Sequence, residues 1–299
     1  MPEFHQPPTA PPLHVPVMLE EVLASLQPRP GMIVVDGTLG GGGHTQALAE
    51  RVVPDGYVLA FDRDPAALWA AERNLRGRAI KLVEADFADL PTVLAQLDVP
   101  GVDGVVLDLG LSSDQLADAT RGFSFDADGP LDLRFNLSEG EPATALLKRL
   151  NEQQLADLIY QFGEERYSRR IARRIVERRA TAPLETAGDL ARLVRSCVPR
   201  SPGHAIDPAT RTFQALRIAV NHELASLGRA LAHLPDVLTP GGRAAIISFH
   251  SLEDRLIKRA FRDDPRWEVL TRKPIRPSPE EASRNPRSRS AKLRVAARN

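Results

Sequence analysis

Five apolar runs, each delivering the chain to a polar residue, set the pattern of this sequence. Ile33-Val34-Val35 leads into Asp36, Tyr57 to Phe61 into Asp62, and Ala79 to Val83 into Glu84-Ala85-Asp86-Phe87. Gly104 to Gly110 carries Asp108 near its end, and Arg243 to Phe249 leads into His250. Short continuous apolar runs bounded by turn residues predict buried strands, as in a largely parallel sheet. Helical spacing precedes the first run over Leu19 to Leu26, and lies between later ones over Gln46 to Val52 and Pro65 to about Leu75. Asp64 before Pro65 is an N-cap with proline at the first helical position. Alternating strands and helices predict an α/β doubly wound fold.

The alternation stops between residues 115 and 209. Helical patterns replace it over Ala143 to Leu150, Glu152 to Phe162, Glu164 to Arg179 and Thr186 to Val198. This predicts a helical insertion domain at 115–209 in a discontinuous sheet domain of residues 14–114 and 210–299. From Thr210 to Leu234 the pattern reads as one long helix returning to the sheet. Ser251 with Asp254 reads as a capping-box variant opening a helix over Leu252 to Phe261. Trp267 to Leu270 reads as a sixth strand, 272–289 as a basic loop, and Ser290 to Ala296 as a closing antiparallel edge strand.

The candidate chemistry gathers at the strand ends. Asp36 to Gly42 reads D-x-T-x-G-x-G, and Gly40 to Gly43 are consecutive glycines followed by His44 and Thr45. Glycines let backbone amides approach a ligand where a side chain would collide, and a helix start adds free N–H groups. The dinucleotide fingerprint G-x-G-x-x-G would need glycine at Thr45, so a pyrophosphate is disfavoured. Asp62 stands where nucleotide folds of this kind bind a ribose diol. Phe87 reads equally as a wall for a planar base or as core. Acids are rarely buried without a partner, so Asp36, Asp62 and Asp108 at one sheet edge point to a ligand.

A second signal is electrostatic. Arg166, Arg169, Arg170, Arg173, Arg174 and Arg178 share one arc of a helical wheel, opposite Tyr167, Ile171, Ala172, Ile175 and Val176. Such a face is often only solvated, but its density favours nucleic-acid contact. The chain's 299 residues have formal net charge +0, so any such contact is a local patch rather than a global field. The single cysteine, Cys197, excludes an internal disulfide and a cysteine-cluster zinc site, and no metal site is expected. Residues 1–13 are proline-rich without a basic or apolar signal region, and read as a flexible tail. His14 is a weaker site candidate.

The conjunction of motifs is more specific than any one of them. HVPVMLEEV, DGTLGGGGH, AFDRD, LDLGLSS, RGFSF, GEERYSRRIARRIV, TRTFQALRI, SFHSLEDR and NPRSRSAKLR together resemble the bacterial ribosomal RNA small-subunit methyltransferase H family, of MraW type. The resemblance implies a class I S-adenosylmethionine-dependent methyltransferase, with a Rossmann-like sheet and an inserted all-helical domain. It implies a cytoplasmic enzyme acting on 16S rRNA, within the small ribosomal subunit, at the exocyclic N4 of one cytosine in the decoding region. The implied cofactor contacts are Gly42, Gly43, His44, Asp62, Phe87, Asp108 and Gln115. Asp108 is the main candidate for the chemistry, with Ser112, Ser113 and His250 behind it. Many amino-group methyltransferases carry (D/N/S)-P-P-(Y/F) at the fourth strand's end. Here the prolines and aromatic are missing, which leaves Phe123, Phe125 and Phe249 as candidates for stacking on the base. A nicotinamide oxidoreductase, a non-catalytic RNA-binding module and a small-molecule methyltransferase are the competing readings.

Overall fold

The computed structural model describes residues 16–125, 128–199 and 207–299. The proline-rich tail at 1–13 and His14 lie outside the described residues. The first half alternates as the pattern predicts: α1 Leu19–Leu26, β1 Ile33–Asp36, α2 Gly43–Val52, β2 Tyr57–Asp62, α3 Pro65–Asn74, β3 Ile80–Glu84, α4 Leu90–Gln96, β4 Val102–Asp108 and α5 Ser113–Ala117. A helical run follows, with α6 Ala143–Arg149, α7 Glu152–Gly163, α8 Ser168–Thr181, α9 Ala187–Cys197, α10 Thr210–Asn221 and α11 Glu223–Val237. The chain then returns to the sheet through β5 Leu238–Ser248, α12 Ser251–Asp263, β6 Trp267–Val269, α13 Pro279–Arg284 and β7 Lys292–Arg298.

The sheet has seven strands in the order β3-β2-β1-β4-β5-β7-β6. β1 pairs in parallel with both β2 and β4, so the chain direction across the sheet reverses between β1 and β4. Open α/β sheets bind ligands beyond the carboxyl ends of their strands at such a switch point. Strand side chains alternate between two cores. Val35, Leu59, Phe61, Val105 and Leu107 pack towards α4, α11 and α12. Val34, Val58, Val106 and Ile247 pack towards α1 and α2. The helical run has its own core, in which Leu146, Leu155, Ile159, Ile171, Ile175 and Leu190 are buried together. Phe213, Leu216 and Val220 of α10 belong to that same core. No described helix is long and apolar enough to cross a membrane.

The structure departs from the sequence pattern in several places. The helix expected from Thr210 to Leu234 is broken at His222, whose φ of 53° is left-handed. Histidine is among the side chains that tolerate this region. The helix expected from Glu164 starts only at Ser168, because Glu164 is itself a left-handed cap of α7. Arg166 is therefore off the helix that carries the other five arginines. The cap of α12 is His250, not Ser251: the His250 ring accepts from Glu253 N–H while the Glu253 carboxylate accepts from the His250 backbone. The basic stretch at 272–289 contains α13, with Ser278 as N-cap and Pro279 at its first turn. β7 is not an edge strand, since it is antiparallel to β5 on one side and β6 on the other.

Candidate cofactor cleft

The switch point opens into a cleft of about 950 Å³, continuous with solvent. Its floor is the turn after β1, and that turn is held by its own side chains. Asp36 Oδ1 accepts from Thr38 N at 3.0 Å, and Oδ2 accepts from Thr45 Oγ1 at 2.6 Å. Thr38 Oγ1 in turn accepts from Asp108 N at 2.7 Å, tying the ends of β1 and β4 together. Leu39 N–H donates to Phe61 O at 2.8 Å. Gly37 is the point of closest approach: a Cβ there would meet Leu107 Cδ2 at 2.3 Å and Phe87 Cβ at 2.9 Å. Glycine is the residue that fits such a contact.

This arrangement sorts the residues singled out from sequence. Asp36 is 1% exposed and does not line the cleft; its oxygens are turned into the loop it shapes. Gly42 does not line it either, and serves as the left-handed N-cap of α2 with φ 78°. Gly43, His44, Asp62, Phe87, Asp108, Ser112 and Gln115 all line the cleft. His44 Nε2 is 3.0 Å from Val17 O. A carbonyl can only accept, so that nitrogen carries the proton. His44 Nδ1 then faces Asp108 Oδ2 at 3.9 Å, beyond hydrogen-bond reach.

The two acids at the strand ends are electrostatically alike but partnered differently. Asp62 Oδ2 accepts from Gly40 N and Oδ1 from Asp64 N, each at 2.9 Å. Burial nonetheless pushes its carboxyl up to about 6. Asp108 is likewise pushed up to about 6 by burial, against the opposing pull of His44 and Arg287. Its Oδ1 is buried and has no hydrogen-bond partner among the described residues. A buried unpaired carboxylate oxygen is costly, and at a ligand cleft it marks a place for a donor from outside the chain.

Gln115 is spent mostly on structure. Its Oε1 accepts from Ser112 N at 3.1 Å, and its Nε2 donates to Asp64 Oδ2 at 3.2 Å. Asp64 also takes both arms of Arg121, at 2.7 and 2.9 Å, in a buried pair. Ser113 and His250 do not line the cleft. Ser113 Oγ accepts from Arg287 Nη1 at 2.5 Å. His250 Nε2 lies 3.1 Å from Glu253 Oε1 but lacks the angle for a hydrogen bond, and Glu253 is the residue that reaches the cleft. Glu253 stays below its ordinary value although burial opposes this, because His250 and the Phe249 amide stabilise the charge. Among the described residues, no group of His, Cys, Asp and Glu could hold a metal ion.

Sequence reasoning missed Arg63, Phe135, Glu223 and Arg287, all of which line the cleft. Of the stacking candidates, Phe123 packs on Phe135 at 5.8 Å and Phe125 on Phe213 at 5.3 Å, both away from it. Phe249 packs beside the α1 and α2 core. Phe135 is the aromatic of that region that lines the cleft. The arginines of α8 are elsewhere. Arg169, Arg170, Arg173, Arg174 and Arg178 are exposed on its outer face, with Arg173 3.5 Å from Glu152 and Arg174 2.8 Å from Glu177. Arg166 is exposed on the preceding turn, its guanidinium 4.6 Å from the Tyr167 ring centre.

The family model of the MraW methylases matches residues 12–299. The chain belongs to the MraW methylase family. It is 52% identical over 296 residues to the Ribosomal RNA small subunit methyltransferase H of Rhodopirellula baltica, covering 95% of this chain and 91% of that protein. The protein of the same name from Syntrophus aciditrophicus is 48% identical over 306 residues, covering 95% of this chain and 97% of that one. The crystal structure of an rRNA methylase from Streptococcus thermophilus superimposes with a TM-score of 0.44 at 13% identity, over 94% of this chain and 93% of that chain. As an MraW methylase, the chain is an α/β methyltransferase of class I whose methyl donor is S-adenosylmethionine. This removes the nicotinamide oxidoreductase reading. The cleft suits that donor on its own terms. A nucleoside needs close backbone and an acid for its ribose, which the glycine turn and Asp62 offer. A cationic amino-acid end or a substrate amino group needs an acceptor, and Asp108 Oδ1 is one.

Proposed function

We propose that the enzyme methylates the exocyclic N4 of a cytosine in the decoding region of 16S rRNA, presented within the small ribosomal subunit in the cytoplasm. The names of the relatives support an rRNA substrate. The observation that carries the catalytic reading is the unpaired, buried Asp108 Oδ1 at the end of β4, beside the glycine turn. In this reading Gly43 and His44 begin a helix whose free amides face the donor, with Gly42 capping it, and Asp36 acts indirectly by holding the loop. Asp62 accepts from the ribose diol, Phe87 walls the adenine, and Gln115 fixes the turn after β4. Bound S-adenosylmethionine supplies a sulfonium methyl with a good leaving group.

Cytosine's amino nitrogen is a weak nucleophile because its lone pair is shared with the ring. The protein's task is then mainly to hold that nitrogen in line with the methyl. Asp108 can accept an amino N–H, which keeps electron density on nitrogen and offsets the positive charge that develops there. The target base must be unpaired or flipped to enter. Phe135, rather than Phe123, Phe125 or Phe249, is our choice for its stacking partner. Ser112 acts as helix cap, and Ser113 and His250 serve neighbouring side chains, so none of the three is a proton acceptor in this reading. We assign the arginines of α8, with Arg166, to phosphate contacts outside the cleft. We take the helical unit to extend through α10 to His222, beyond the boundary at 209 that the sequence pattern suggests.

The test is methylation in vitro of 16S rRNA and of assembled small subunits, followed by nuclease digestion and mass mapping. The expected product is one methylated cytosine that releases methylamine on deamination. A methyl on carbon 5, on a ribose, or on no RNA would refute the assignment. Single-turnover rates with preloaded donor then test Asp108. Asp108→Asn should lower the rate constant by roughly 10²–10³, as for removal of one preorganised partner to developing charge.

A further inference from the structure

Glu223 and Glu253 stand in the first turns of α11 and α12 and line the cleft. Their neighbours on the same two helices turn the other way. Leu224 and Ala225 of α11, with Leu252, Arg255, Leu256 and Arg259 of α12, line a second opening of about 1010 Å³, continuous with solvent. The four α12 residues recur at i, i+3, i+4 and i+7, so they share one face of that helix. Phe162, near the end of α7, and His222, at the break between α10 and α11, also line this groove. The groove and the cleft therefore have the first turns of α11 and α12 as a common wall.

The groove has an apolar floor and a basic rim. Phe162, Leu224, Leu252 and Leu256 are each half-buried and show part of their surface to solvent. An open apolar depression rimmed by polar groups marks an interaction site. His222, Arg255 and Arg259 are exposed around it, and none of the described residues that line it is acidic. Arg255 is aimed by Glu164, whose Oε1 accepts from its Nη2 at 3.0 Å, while Glu164 Oε2 accepts from Ser251 Oγ. A guanidinium carries five donors, so this contact leaves others for a ligand. The backbone at Phe162 is fixed too, its carbonyl accepting from Gln214 Nε2 at 3.0 Å. An apolar partner has no use for a cationic rim, and a bare phosphate has none for the floor. An unstacked nucleotide uses both, since its base has an apolar face and its phosphates pair with arginine.

We propose that this groove seats a nucleotide adjoining the target cytosine, its base laid on the floor of Phe162, Leu252 and Leu256 and its phosphates on Arg255 and Arg259. The proposal rests on the cleft receiving the target base of an rRNA. One strand crossing the common wall puts the target on one side and its neighbour on the other. Recognition of the sequence next to the cytosine then belongs to the groove, whereas the arginines of α8 hold phosphates alone.

The experiment is methylation kinetics on the full chain, with 16S rRNA or assembled small subunits as the varied substrate. Arg259→Ala removes a rim charge, Phe162→Leu removes the ring but keeps an apolar floor, and Ala225→Glu sets an acid in the groove at an exposed position. Each should raise KM for RNA by about tenfold, the scale of one stacked base or one hydrogen bond to a charged group. Calorimetric binding of S-adenosylmethionine should match the parent, which also shows that the variants are folded. Arg259→Ala should lower the salt-dependence slope of RNA binding by about one. Photoactivated 4-thiouridine placed beside the target cytidine should crosslink to Phe162 or to α12. An unchanged KM for RNA in all three variants, or crosslinks to α8 alone, would overturn the proposal. A changed oligomeric state of Ala225→Glu in light scattering, with KM for RNA unchanged, would give the groove to a second copy of the chain and overturn it as well. A parent that methylates neither RNA nor subunits would instead overturn the proposed function.

Discussion

Asp108→Asn should make the ligand-free protein more stable at pH 8 while weakening its grip on the cofactor. The side chain of Asp108 is 18% exposed. Burial raises its carboxyl from 3.8 to about 6. At about 1.4 kcal/mol per pH unit, this means that the ionised form costs the fold about 3 kcal/mol. The sign follows from linkage. A carboxyl whose folded pKa is raised contributes stability when protonated, and that contribution is lost as pH rises through the folded value. The full penalty is therefore present at pH 8 and partly relieved at pH 5. Asparagine has the same shape and never ionises. It leaves a polar atom unpaired, which takes back about 1–2 kcal/mol of the gain. The expected result is a net stabilisation of about 1–2 kcal/mol at pH 8. That advantage should shrink by about 1.4 kcal/mol on going to pH 5. Thermal unfolding of parent and variant at both pH values, without cofactor, measures it. Asp62 titrates in the same range but is common to both proteins and cancels. An Asn variant that is less stable than the parent at pH 8, or whose advantage does not depend on pH, would refute the claim that Asp108 is a desolvated charge waiting for a partner.

Three further outcomes are expected. Arg121→Ala strands the buried Asp64 carboxylate and should cost about 3–5 kcal/mol in a urea transition, the usual result of breaking a buried pair from one side; a cost under 1 kcal/mol would show that Asp64 is rehydrated. Gly37→Ala drives a methyl into Leu107 and Phe87 and should destabilise by about 1–3 kcal/mol through overpacking, with weaker cofactor binding in calorimetry; unchanged affinity would mean that the turn does not form the cofactor floor. Replacing Arg169 and Arg170 by alanine should lower RNA affinity and reduce the salt-dependence slope by about one for each phosphate no longer neutralised, leaving cofactor binding alone; an identical slope would assign that face to solvent.

Much of the scaffold was legible because it is local. The apolar runs ending at Asp36, Asp62 and Asp108 became β1, β2 and β4, and Asp64-Pro65 opens α3 as its cap chemistry requires. The loop was legible as a motif but not in its division of labour. D-x-T-x-G-x-G shows that Asp36 matters, yet only the fold shows that its oxygens go to Thr38 and Thr45. Contacts across the chain were illegible for a different reason. Nothing near Arg287 signals that it lies against Ser113, 174 positions away. Nothing near Phe135 signals the cleft. Some signals were present and passed over. Ser278-Pro279 with Glu281 is a helix start hidden among prolines and arginines, and the Glu253 capping pair was read one residue late because histidine is an uncommon cap. The break at His222 had no breaker residue to announce it, since the left-handed turn there is held by the packing of α10 on one core and α11 on another.

The position of β7 between β5 and β6 governs when the sheet can be finished. β6 comes first in the chain, but its pairing is with β7. Until β7 arrives, β6 has no ladder to join and β5 presents an open edge. Such closure by a distant strand belongs late in folding, since the loop between must be ordered before its hydrogen bonds return anything. The protein carries its own reporter of that moment. Trp69 is 62% exposed on α3, whereas Trp267, on β6, is 5% exposed and packs edge-on against Phe261 at 5.1 Å. Trp267 therefore reports the burial of β6 against α12, and its emission is expected to turn blue together with the hydrogen-exchange protection of β7.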